Sequence, residues 1–208
     1  MVNTGRVLLN GKSVASPDQQ VEPSGLIITV DGAAWPYREH LYLMMNKPID
    51  LECSHAPSHH KSIFSLLPKH FVTRGVQCVG RLDSDTTGLL LLSDDGAFVH
   101  AMSSPKRHVT KLYQVQTGEE VTDLQLAALS AGVKLRDDPE PALGTATRLG
   151  PRSLELQIDE GRYHQIKRML GAVGNRVAAL HRMRVGDYAL PAALEPGQWV
   201  EVVARPGS

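Results

Sequence analysis

The sequence predicts an α+β fold built on a central, largely antiparallel mixed sheet flanked by helices, and three features carry that prediction. Leu154, Leu156 and Ile158 alternate with Glu155, Gln157 and Asp159, the period-two pattern of a strand with one face in a core. Thr122-Asp123-Leu124-Gln125 has capping-box spacing ahead of Leu126-Ala127-Ala128-Leu129, so a helix starts there and stops at Gly132. Strands and helices alternate without a regular βαβ order, which argues against a parallel sheet.

Taken in chain order, residues 6–31 read as short strands. Val7-Leu8-Leu9, the turn Asn10-Gly11 and Lys12-Ser13-Val14 come first, then Leu26 to Val30 closed by Asp31-Gly32. This is too little to fold alone, so residues 1–38 are expected to be a small module with a linker and 39–208 the main domain. Leu41 to Met45 is an apolar strand ending at Asn46-Lys47-Pro48, followed by a Pro-, Ser- and His-rich loop from Ser54 to Lys61. Val76 to Val79 and Leu89 to Leu92 read as strands, the second fully buried and closed by Asp94-Asp95-Gly96. A helix over about Tyr163 to Val173 places Ile166, Met169, Leu170 and Val173 on one apolar stripe, with His164, Lys167 and Arg168 opposite.

The 208 residues suffice for one good core, and the apolar content is that of a soluble globular chain. No apolar run approaches membrane-spanning length and the N-terminus has no signal-peptide order, so the expected location is cytoplasmic, with no membrane partner. Cys53 and Cys78 lack CxxC spacing and read as two small buried or half-buried side chains. Net charge is zero. The run from Gly161 to Val185 nevertheless carries Arg162, His164, Lys167, Arg168, Arg176, Arg182 and Arg184 without an acid, and Lys106, Arg107, His108 and Lys111 form a second acid-free group. Each run alone reads as a solvated face; two in a neutral protein point to a basic face for a polyanion.

The densest polar segment is Gly80-Arg81-Leu82-Asp83-Ser84-Asp85-Thr86-Thr87-Gly88, a loop between two apolar strands. Its composition by itself favours a plain turn. A calcium loop would use Asp83 and Asp85 but lacks the remaining ligands, and His55, His59 and His60 lack a clear third partner, so no metal site is expected. In an extended loop Asp83 and Asp85 would point to opposite sides.

The run from Gly80 through Leu89-Leu90-Leu91-Leu92-Ser93-Asp94-Asp95-Gly96 resembles the catalytic motif of the RsuA/RluB-type pseudouridine synthases. Met44-Met45-Asn46-Lys47-Pro48, Lys111-Leu112-Tyr113 and Glu160 through Met169 resemble further family motifs in the same order, and the likeness spans roughly residues 40–203. The resemblance implies isomerisation of uridine to pseudouridine in ribosomal RNA without metal, nucleotide or redox cofactor. It implies Asp83 as the essential carboxylate, Lys167 as its ionic partner, Tyr113 stacked on the target base and Arg81 filling the space left by the extruded nucleotide. Arg162, His164, Arg168, Arg176, Arg182, Arg184, Lys106 and Arg107 become the expected RNA contacts.

Residues 5–32 resemble only the later half of an S4 RNA-binding module, so a partial S4-like module is expected. The wording Gly161-Arg162-Tyr163-His164-Gln165-Ile166-Lys167-Arg168-Met169, with Val173-Gly174-Asn175 and Leu180-His181-Arg182, is similar to the small-subunit RsuA branch. A monomer acting on ribosomal RNA or a pre-ribosomal particle is the expectation. A large-subunit enzyme, a non-catalytic assembly factor on the same fold, and a hydrolase with a second positioned carboxylate are the alternatives.

Overall fold

The structure, a computed structural model, describes residues 5–136 and 138–205; the ends of the two expected domains, 1–4 and 206–208, lie outside them. The chain separates into two compact units, Met1–His40 and Leu41–Ser208.

The first unit holds strands β1 (Val7–Leu9), β2 (Lys12–Ser13), β3 (Ile27–Val30) and β4 (Ala33–Pro36), in the sheet order β2-β1-β3-β4. Two-residue hairpins at Asn10-Gly11 and Asp31-Gly32 have all four residues at positive φ, the twist that matches paired strands. Asp31-Gly32 therefore does not end the strand series, as the sequence suggested, but turns the chain into β4. Leu26 is the only buried apolar residue among the described residues of this unit, which agrees with a segment poor in core.

The second unit is organised on β5 (Tyr42–Lys47), β8 (Gln77–Val79), β9 (Thr86–Ser93), β10 (Lys111–Thr117), β11 (Thr145–Gly150), β12 (Ser153–Ile158), β13 (Val177–Val185), β14 (Tyr188–Ala189) and β15 (Trp199–Glu201). They form one sheet in the order β11-β12-β10-β13-β9-β5-β15, with β14 on β13 and β8 on β9. β9 and β13 are parallel, while the other strand pairs of this sheet run antiparallel. A separate short pair, β6 (Leu51–Glu52) and β7 (Lys61–Ser62), lies in the histidine-rich loop.

β9 is the spine. Leu89 to Leu92 are at most 1% exposed, and burial of each leucine contributes about 1.5–3 kcal/mol. Leu89 and Leu91 pack with Met44, Val79, Phe98, Met102 and Val185 on one face of the sheet. At Gly88 φ is +100° and an added Cβ would lie 2.3 Å from the Arg182 carbonyl, so glycine permits the parallel contact of β9 with β13.

Helices are few: α1 (Lys69–Thr73), α2 (Gly96–Ser103), α3 (Asp123–Ala131) and α4 (Gln165–Ala172). The capping box of α3 forms as its spacing predicts, with Thr122 and Gln125 bonding each other's backbone. α2 is a departure from the sequence reading, which took Asp94-Asp95-Gly96 as a closing turn. The Asp95 carboxylate instead caps a helix, accepting from the Ala97 and Phe98 amides.

Candidate active site

The segment after β8 is held from below by a buried cation. Lys47, the last residue of β5 and fully buried, donates from Nζ to the carbonyls of Pro48 at 3.0 Å, Ser84 at 3.2 Å and Thr86 at 2.9 Å. Burial pulls its pKa down; the three carbonyls supply the dipoles that a buried ammonium requires. The Asp50 amide donates to Ser84 O at 2.8 Å and the Thr86 amide to Asp83 O at 3.1 Å. Residues 80–85 are therefore a loop pinned between β8 and the buried strand β9.

Under the same loop the two cysteines meet. Cys53 and Cys78 are electrostatic neighbours, and Cys53 Sγ accepts from the Leu82 amide at 3.5 Å. Interaction with Cys78, working against burial, brings the Cys53 thiol down to about 7, while the Cys78 thiol is pushed up.

α4 supplies the opposing charges. Lys167 Nζ donates to Asp83 Oδ2 at 2.9 Å and to both oxygens of Asp85, at 2.7 and 3.0 Å. His164 caps α4 in a left-handed conformation, φ 48°, with Nε2 3.4 Å from Asp83 Oδ2. The anion at this helix start is the protein's own carboxylate. Burial opposes the charge on Lys167, but its bonds to Asp85 and Asp83 hold the ammonium above its ordinary pKa. Burial likewise opposes ionisation of Asp85, and Lys167 still holds it below the usual carboxylate range. The expectation that Asp83 and Asp85 diverge is corrected: the loop turns rather than extending, and both carboxylates converge on one ammonium.

Asp83, His164 and Lys167 line a cavity of about 160 Å³ with Arg81, Tyr113 and Arg182. A register shift between Leu112 and Tyr113 in the β10–β13 ladder sets Tyr113 opposite Arg182. The Arg182 guanidinium carbon lies 6.0 Å from the Tyr113 ring centre and its Nη1 3.4 Å from the tyrosine oxygen.

The basic run expected to face RNA is largely occupied within the fold. Arg182 is 3% exposed and donates from Nε to the Leu89 carbonyl at 2.7 Å, so as a surface backbone contact it is corrected to a buried wall of the cavity. Arg162 pairs with Glu160 at 2.8 Å and donates to the carbonyl of Glu140. Arg168 pairs with Asp138 at 2.9 Å. The run is free of acids in sequence, and folding brings acids to it from elsewhere. Lys106, Arg107 and Arg176 are exposed and Arg184 is half-buried.

Sequence reasoning missed Lys47, Asp85 and the direct His164 contact. The available signal for Lys47 was a charge closing a largely apolar strand immediately before proline. Among the described residues no group of three or more His, Cys, Asp or Glu side chains is arranged to hold a metal. His55 stacks on Phe64, centroids 3.7 Å apart, and the amides of His59 and His60 donate to Glu52, which gives this loop a structural explanation.

Comparison with known proteins decides the family. Residues 41–172 match the family model described as RNA pseudouridylate synthase. The chain belongs to the RNA pseudouridylate synthase family. It is 36% identical over 199 residues to the ribosomal small subunit pseudouridine synthase A of Haemophilus influenzae, covering 95% of this chain and 85% of that protein. It is 35% identical over 206 residues to the RNA pseudouridine synthase YtzG of Bacillus subtilis, covering 97% and 86%. A crystal structure of a pseudouridylate synthase superposes with TM-score 0.76 at 35% identity, covering 97% of this chain and 87% of that one. As an RNA pseudouridine synthase the protein breaks the bond from ribose C1′ to uracil N1 and rejoins the base through C5. No atom is gained or lost.

Proposed function

We propose that this pseudouridine synthase isomerises a uridine of small-subunit ribosomal RNA, with Asp83 as its nucleophile. The observation that carries the assignment of Asp83 is its position at the cavity wall with Oδ2 2.9 Å from Lys167 Nζ, which aims the carboxylate into the cavity. The relatives from Haemophilus influenzae and Vibrio parahaemolyticus, both named ribosomal small subunit pseudouridine synthase A, support the substrate.

Reaching C1′ in structured RNA requires extruding the nucleotide, at a cost of about a few kcal/mol. Tyr113 stacks on the flipped uracil within the cavity, and exposed Arg81 at its rim takes the vacated place in the stack. Lys106, Arg107 and Arg176, with half-buried Arg184, contact phosphates. Arg162 and Arg168 act indirectly, by fixing the segment around Asp138. The small N-terminal sheet serves as a partial S4-like RNA-binding module. The enzyme works in the cytoplasm as a monomer, on ribosomal RNA or a pre-ribosomal particle.

The experiment is carbodiimide mapping of ribosomal RNA from cells with and without the gene. One pseudouridine in small-subunit RNA should disappear with the gene and return with the wild-type protein. A site lost only from large-subunit RNA would overturn the substrate assignment.

A further inference from the structure

Lys167 is shared between two carboxylates of unequal standing. Asp83 offers it one oxygen at 2.9 Å, whereas Asp85 offers both, at 2.7 and 3.0 Å. Asp83 lies at the cavity, and Asp85 lies on the other side of Lys167, where the two line a separate cleft with Thr87 and Arg176. A base bound against Asp83 therefore leaves the Asp85–Lys167 contact in place.

We propose that Asp85 is a positioning residue that holds the Lys167 ammonium at the active site while Asp83 gives up its negative charge. This inference rests on the reading of Asp83 as the reacting carboxylate. Each chemical route discharges Asp83. In attack at C1′, a carboxylate electron pair forms the C–O bond and the C1′–N1 pair leaves with the base. In attack at C6, the carboxylate pair forms the C–O bond and the C5–C6 π pair moves onto C5 and O4. In glycal formation the carboxylate takes the C2′ proton, the C2′–H pair makes the C1′–C2′ double bond and the C1′–N1 pair leaves with the base.

At that point Lys167, with 26% of its side chain exposed, loses one of its two counter-ions. Partly desolvated ammonium without a partner is costly, and it would leave its place or draw charge back onto Asp83, opposing the forward step. Asp85 keeps the pair neutral. It also shares the ammonium before reaction, so that Lys167 does not collapse wholly onto Asp83 and blunt its nucleophilicity. Both effects fall on the chemical step and neither on RNA binding.

The test compares wild type, Asp85→Asn and Asp85→Glu on a target RNA, with melting curves for each and Asp83→Asn as reference. Asp85→Asn should lose about ten- to a hundredfold in kcat with KM within roughly twofold, and Asp85→Glu should recover most of the loss. Asp85→Ser, which also removes the carboxylate, serves if Asp85→Asn melts abnormally and should show the same split. Wild-type kcat in Asp85→Asn, a change confined to KM, or equal impairment in Asp85→Glu overturns the inference. Turnover by Asp83→Asn would instead overturn the reading of the site on which it rests.

Discussion

Lys167 Nζ stands 2.9 Å from Asp83 Oδ2 although the two residues are 84 positions apart, one on the first turn of α4 and the other before β9. The contact joins the loop that carries Asp83 to the helix that carries its cationic partner. Substituting Lys167 by Met should lower kcat by about a hundredfold, while Lys167→Arg should retain much of the activity because the charge persists. Both groups are partly exposed, so the loss of stability should stay below about 1 kcal/mol. Single-turnover kinetics and urea denaturation separate the two effects.

Lys47 makes a contrasting prediction. Its ammonium is buried under the loop and satisfies three carbonyls, so Lys47→Met should destabilise the protein by about 3 kcal/mol by stranding them. Activity should fall as well, because Asp83 loses the platform that fixes its backbone. Urea denaturation and turnover below the new unfolding transition check both.

Gly88 faces the Arg182 carbonyl too closely for any side chain. Gly88→Ala, with φ at +100° and a Cβ at 2.3 Å from that oxygen, should cost about 3 kcal/mol. The same strain displaces Arg182 from the cavity wall, which makes a fall in kcat/KM the second expected result.

Acid sensitivity follows from Glu52. Its carboxylate accepts the amides of Ser58, His59 and His60, which lower its pKa from 4.5 to about 2. A carboxyl depressed on folding contributes stability above its unfolded pKa and loses it as pH falls through the folded value. Glu52→Gln should therefore be less stable than wild type at neutral pH, with the difference closing between about pH 4.5 and 2. Melting temperatures across that range measure it.

The features legible in the sequence were those written in local periodicity. The alternation in β12, the capping box of α3 and the apolar stripe of α4 each name their own element, and Asp83 and Lys167 fall on the parts that the motifs indicate. What escaped depends on partners distant in sequence. The basic run from Arg162 to Arg184 looked like a free face because the acids that neutralise it, Asp83, Asp85 and Asp138, come from other segments. Arg182 looked like a surface charge, yet β13 turns it into the interior. Asp85 points away from Asp83 only in an extended loop, and the turn that bonds the Thr86 amide to the Asp83 carbonyl reverses that geometry.

The most direct measurement is tritium release from RNA labelled at uracil C5, for wild type and Asp83→Asn, alongside the affinity of each for the same RNA. The account predicts complete loss of release in Asp83→Asn with binding within about twofold of wild type, since the substitution keeps the side chain's shape and removes only its charge. Turnover retained by Asp83→Asn would contradict it.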